Sequence, residues 1–94
     1  MKNFYTKEQI KHFRKNIPIA KLIVEILKIP STQFNGYWKF LCPICGGSKT
    51  FTNKDKNIGL CTECDTKFNP IDIVMNHKGI GFKPALDFLD GLKI

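Results

Sequence analysis

Cys42-Pro43-Ile44-Cys45 and Cys61-Thr62-Glu63-Cys64 are the two stretches that decide how this chain folds. Each is a CxxC pair, and fifteen residues separate Cys45 from Cys61. A two-residue gap lets two thiolates leave one tight turn toward adjacent corners of a tetrahedron. Fifteen residues suffice for a hairpin that returns the second pair beside the first. The spacing therefore predicts one structural Zn²⁺ held by Cys42, Cys45, Cys61 and Cys64. Four protein ligands close the shell and leave no corner for a catalytic water. Two disulfides or a redox-active CxxC fit less well. Residues Met1 to Glu8 turn polar before any apolar leader could form, which favours a reducing cytoplasm, and a redox couple has no need of a second, matched pair.

Working outward, Tyr37-Trp38-Lys39-Phe40-Leu41 runs into Cys42 and reads as a strand. Lys49-Thr50-Phe51-Thr52 reads as a second strand after Gly46-Gly47, and Ile58-Gly59-Leu60 as a third beyond the polar turn Asn53 to Asn57. Residues 37–68 are thus expected to form a three-stranded antiparallel meander with two zinc knuckles. In the helical part, 1–36, Thr6 and Gln9 form a capping box ahead of a helix over roughly residues 7 to 15, with Ile10, Phe13 and Ile17 inward. Asn16-Ile17-Pro18 stops that helix and opens another, whose apolar face is Ile19, Leu22, Ile23, Ile26 and Leu27. Pro30-Ser31-Thr32 closes it, and Asn35-Gly36 falls in a loop. Over 69–94, Asn69 and Pro70 open a helix with Ile71, Val74 and Met75 on one face, Gly79 ends it, and Pro84 to Leu89 forms a last short helix. The expected fold class is α+β: a single domain, 1–94, in which a small zinc ribbon is flanked by N-terminal and C-terminal helices.

At 94 residues there is no room beside this domain for a catalytic one, and a core this small is marginal without a staple. Structural zinc supplies an apparent ~10 to 16 kcal/mol in small finger peptides, which answers that need. The longest apolar stretch, Ile17 to Ile29, is broken by Pro18, Lys21, Glu25 and Lys28, so no membrane span is expected. Fifteen Lys and Arg against eight Asp and Glu give +7, with residues 1–60 at +8 and residues 61–94 at −1. Four thiolates on Zn²⁺ carry a net −2, which leaves about +5. The basic excess favours a polyanionic partner that meets the first two thirds of the chain.

Strand alternation puts Trp38 and Phe40 on one face and Tyr37, Lys39 and Leu41 on the other, while Lys49, Phe51 and Asn53 share a face of the second strand. Bases stack on aromatic faces for about 1 to 3 kcal/mol each while lysines neutralise phosphates. Tyr37, Trp38, Lys39, Lys49, Phe51, Lys54 and Lys56 are accordingly the candidate contacts to a single strand. Four of them have a plainer reading: Trp38 and Phe51 as core, and Lys54 and Lys56 as solvated turn residues. Lys2, Lys7, Lys11, Arg14 and Lys15 likewise read as either a phosphate-facing or a solvated helix face. His12 and His77 lack a partner at ligand spacing, and Asp87 with Asp90 reads as a solvated acidic face.

From about Ile10 to Leu92 the chain resembles the N-terminal zinc-binding domain of DnaG-type bacterial and phage DNA primases. The residues that carry the resemblance are Trp38 to Cys45, Lys49-Thr50-Phe51, Cys61 to Cys64, Asn69 to Met75 and Phe82-Lys83-Pro84-Ala85-Leu86. Cys45 stands where cellular primases usually have His, Lys49-Thr50 replaces Pro-Ser, and the second knuckle lacks the usual glycines. The Toprim-type catalytic domain of that family is absent from these residues. The resemblance implies binding of single-stranded template DNA and cooperation with a separate primase or polymerase catalytic unit, with no catalysis by this chain alone. The alternative is a zinc-ribbon adaptor between polypeptides, with Phe82, Phe88 and Leu92 as contacts.

Overall fold

Alternating side chains from Ser31 to Phe68 build five strands in a computed structural model that describes residues 4–92. They are β1 (Ser31–Phe34), β2 (Tyr37–Phe40), β3 (Thr50–Asn53), β4 (Ile58–Cys61) and β5 (Thr66–Phe68). The sheet order is β1-β2-β3-β4-β5, and every ladder is antiparallel. The fold is α+β, and the meander has five strands where the sequence predicted three. The three expected strands are its centre.

Two edges make the difference. Asn35-Gly36 forms a two-residue hairpin turn, with positive φ at both residues (28° and 89°) and Phe34 paired to Tyr37. That is the backbone Asn-Gly favours in tight hairpins, so Ser31 to Phe34 pair as a strand instead of trailing off a helix. β5 follows because Phe68 turns into the core, fully buried, while Lys67 turns out.

The helices are α1 (Lys7–Asn16), α2 (Ile19–Lys21), α3 (Pro70–Lys78) and α4 (Phe82–Asp90). Thr6 and Gln9 complete the capping box of α1, and Asn69 with Asp72 completes one on α3, where Gly79 ends the helix at φ 65°. α2 departs from expectation. After three residues it widens into a π-helical turn, Leu22–Ile26, in which Leu27 N–H bonds to Leu22 C=O, five residues back. Leu22 and Ile23 are completely buried there, so packing sets which turn is adopted within an apolar run.

The helices cover one face of the sheet. Phe40, Cys42, Cys61 and Phe68 join Phe13, Ile19, Leu22, Ile71, Val74, Leu86 and others in a single buried cluster. Gly59 is required where it stands, since a Cβ on it would lie 2.8 Å from the Phe40 ring. Asn57 ties the layers together. Its Nδ2 donates to Arg14 C=O (2.8 Å) and Ile17 C=O (2.7 Å), and its Oδ1 accepts from Ile19 N–H (2.8 Å). The β3–β4 turn is thereby clipped to the end of α1. Among the described residues no helix is long and apolar enough to cross a membrane.

Candidate metal centre and exposed sheet face

Both cysteine pairs sit on turns at the same end of the sheet, one after β2 and the other at the end of β4. The turns are built alike. Cys42 and Cys61, the first residue of each pair, are buried in the core, while Cys45 is exposed and Cys64 half-buried. Cys42 Sγ accepts from the backbone N–H groups of Ile44 and Cys45, and Cys61 Sγ from that of Cys64. The residue after each pair takes the left-handed conformation, Gly46 at φ 71° and Asp65 at φ 52°. Asp tolerates that region better than most residues, so the second knuckle closes without glycine. Gly47 N–H then donates to Cys45 Sγ, and Thr66 Oγ1 contacts Cys64 Sγ. Thr62 anchors the second knuckle to the residue just before β3 through two hydrogen bonds to Lys49 C=O.

The four sulfurs lie within 4.8 Å of one another and can hold a metal ion. Two of the separations between the knuckles are 3.7 Å for Cys42 to Cys64 and 3.5 Å for Cys45 to Cys61. A tetrahedron with metal–sulfur bonds of about 2.3 Å has edges of about 3.8 Å, so the geometry fits a tetrathiolate site, and all four cysteines are free thiols. The protonation chemistry agrees. The Cys64 N–H and the Thr50 hydroxyl hold the Cys61 thiol down to about 6. For Cys45 the Gly47 N–H pulls down, but desolvation and the Cys61, Cys42 and Cys64 thiols outweigh it and push the group up to about 12. Thr66 lowers Cys64, yet desolvation and the Cys61 and Cys42 thiols leave it raised. Such a cluster ionises the Cys61 sulfur readily and resists charge on Cys45 and Cys64, a resistance that a bound cation would relieve. Thr50 Oγ1, buried with no hydrogen bond of normal geometry, faces Cys61 across the ladder.

The face of the sheet turned away from the helices is different in kind. Lys39, Phe51, Leu60 and Lys67 form one row across β2 to β5, and Phe34 pairs with Tyr37 in the next row. Phe34 and Tyr37 stack with ring centroids 6.0 Å apart, and Tyr37 meets Phe51 edge-on at 5.6 Å. Lys39 Nζ lies 5.9 Å from the centroids of both Phe34 and Phe51. A groove of about 520 Å³ beside this cluster is lined by Thr32, Phe34, Lys39, Leu41 and Ser48, among others.

The structure therefore brings Tyr37, Lys39 and Phe51 together. Trp38 is half-buried on the Phe40 side and does not join them. Lys49 is exposed just before β3, at the metal end. Lys54 and Lys56 are exposed on the β3–β4 turn, at the opposite end. Phe34, 42% exposed, is the ring of this cluster that sequence reading missed. Its signal was Asn35-Gly36, which makes a strand partner of the residue before it. His12 is exposed and contacts Asn16, and His77 is exposed. Asp87 is not a solvated acid, because it accepts from the Tyr5 hydroxyl and from Lys83. Lys2 lies outside the described residues. In comparisons with known proteins, no family model and no curated sequence matches the chain.

Proposed function

We propose that this chain is a zinc-dependent, single-stranded-DNA-binding module that serves a DNA primase, or acts in trans with a primase or polymerase, in primer synthesis. The observation that carries this reading is the uncovered sheet face, where Phe34, Tyr37 and Phe51 surround Lys39. Clustered rings on an open face leave apolar area in water, which marks an interaction surface. Unpaired bases offer π-faces that such rings can stack, and Lys39 and Lys67 offer charge to the phosphates. A duplex keeps its bases stacked inside and cannot use the rings. A four-sulfur tetrahedral donor set suits zinc or iron, and zinc fits a site whose work is to hold strands in place. The order of β2, first knuckle, hairpin, second knuckle and Asn69-capped helix supports the likeness to the primase zinc ribbon.

Catalysis is assigned to another unit. The cysteine set is the one cluster of three or more His, Cys, Asp or Glu able to hold a metal among the described residues, and its four ligands leave no open position. The four thiols suit the reducing cytoplasm. An adaptor that joins polypeptides is the second reading, favoured by Leu41 and Ile44 (41% and 54% exposed) beside the first knuckle and by Phe82 on α4.

Fluorescence polarisation of the zinc-loaded protein with labelled single- and double-stranded DNA, across a salt series, separates the two. Single-strand preference with a steep salt slope, weakened by Lys39→Ala and Phe51→Ala, is expected. Absence of single-strand binding at low salt overturns the proposal.

A further inference from the structure

The cations of α1 fall on one stripe. Lys7, Lys11, Arg14 and Lys15 are spaced i, i+4, i+7 and i+8, all are exposed, and none forms an ion pair among the described residues. Phe13, Ile10 and Ile17 take the opposite side. Helix stability does not account for this stripe. Arg14 and Lys15 complement the negative C-terminal end, but Lys7 stands in the first turn, where a cation works against the dipole. None of the four stripe side chains carries a ring, and the one ring beside them on α1, His12, shares a cavity with Lys11 and Lys15 but contacts Asn16, so charge dominates the stripe.

Its position is the second observation. The Asn57 clip joins the C-terminal end of α1 to the β3–β4 turn, and Lys15 shares a cavity of about 440 Å³ with Lys56, Asp55 and Asn57. That turn lies at the end of the sheet where Tyr37 and Phe34 stand, since Trp38 N–H bonds to Thr52 Oγ1. A strand leaving the aromatic face over the turn meets Lys54 and Lys56 and then α1. Glu8 and Asp55 are the carboxylates that border this path.

We infer that Lys56, Lys15, Arg14, Lys11 and Lys7 form a phosphate track that continues the sheet-face site and holds phosphodiester backbone without reading bases. Lysines one helical turn apart advance about 6 Å per step, so the α1 stripe presents its charges at intervals suited to successive phosphates. This inference rests on the sheet-face reading, and the two fail separately. The track defines the outer half of the site; the rings define the inner half.

The test compares the zinc-loaded protein with a Lys7→Gln/Lys11→Gln/Lys15→Gln variant, whose fold is verified by far-ultraviolet circular dichroism. Probes are oligothymidylates of about 4 and about 16 nucleotides, which bracket the usual length of a single-strand site, and a short oligothymidylate joined to a duplex. On the long strand, three lost contacts at about 0.7 each lower the salt slope by about 2, so between about 50 and 200 mM salt the wild type loses roughly twentyfold more affinity than the variant. The short strand is bound equally by both. If the backbone comes from a paired region, the loss appears on the junction probe and not on the long single strand, which still supports the track. An unchanged slope on both long probes overturns it. Phe34→Ala weakening no probe overturns the sheet-face reading and leaves the track result standing.

Discussion

The two faces of the sheet are made from the same strands and differ in what each side chain meets. Phe40, Thr50, Thr52, Gly59, Cys61 and Phe68 point under the helices and are all buried. Their immediate neighbours in sequence, Lys39, Phe51, Leu60 and Lys67, point the other way and stay half-buried or exposed. Alternation along a strand decides which phenylalanine is core and which is available, so aromatic content alone says nothing about either. The covered face includes part of the candidate metal site, because Cys42 and Cys61 belong to its core, so it is expected to depend on a bound ion. The open face requires only that the covered face be in place.

The strongest way to break this contrast is to remove the metal. Chelation abolishes both faces together, since structural zinc supplies an apparent ~10 to 16 kcal/mol in small fingers. Loss of dispersed amide resonances over residues 37–68 on adding a chelator is the expected result, and native strand signals in metal-free protein contradict it. Phe40→Ala attacks the covered face alone and lowers stability by about 3 to 5 kcal/mol, read by denaturant unfolding, while single-strand affinity holds under conditions where the variant is folded. Phe34→Ala does the reverse. It weakens single-strand binding by about 1 to 3 kcal/mol and leaves the unfolding midpoint nearly unchanged, because the ring is already 42% exposed.

The smallest effect sharpens the covered side. Tyr5 donates a hydrogen bond to Asp87, which raises the Tyr5 hydroxyl from its ordinary 10.0 to about 12. The same bond, with Lys83, holds the Asp87 carboxyl below its usual range. The Tyr5 contribution to stability is therefore complete below about pH 10 and lost as pH rises toward about 12. The Asp87 contribution is present at neutral pH and lost as pH falls through the lowered carboxyl value. Tyr5→Phe removes the alkaline dependence and reduces the acid one, where Lys83 still pairs with Asp87, so its unfolding midpoint varies less with pH at the two extremes than that of the wild type.

The clustering of the four cysteines, the capping boxes of α1 and α3 and the central strands were legible because each rests on local chemistry: the spacing of the CxxC pairs, a side chain reaching a nearby N–H, or period-two alternation. The edges were harder. Ser31-Thr32-Gln33-Phe34 has little apolar alternation and becomes a strand through its turn, and Asn35-Gly36 outweighs the helix-closing reading of Pro30. β5 is three residues long with Phe68 as its single fully buried apolar side chain. A π-helical turn cannot be told from an α-helix in Leu22-Ile23-Val24-Glu25-Ile26, where nearly every residue is apolar. The clip made by Asn57 depends on backbone groups some forty positions away, and nothing in a polar turn announces them.

Because the strands lie in chain order, each ladder needs only its immediate predecessor, and the loops to be closed are short. The helical layer has the opposite requirement. α1 packs on α3 and α4, and the Tyr5 to Asp87 bond spans 82 positions. Assembly should therefore run in two stages, with the meander forming early and α1 docking last. Until α4 is in place, Phe13 and Ile17 have no complete partner surface, so refolding watched by hydrogen exchange should protect β3 and β4 before α1. Simultaneous protection of all three would show that the molecule closes in one step.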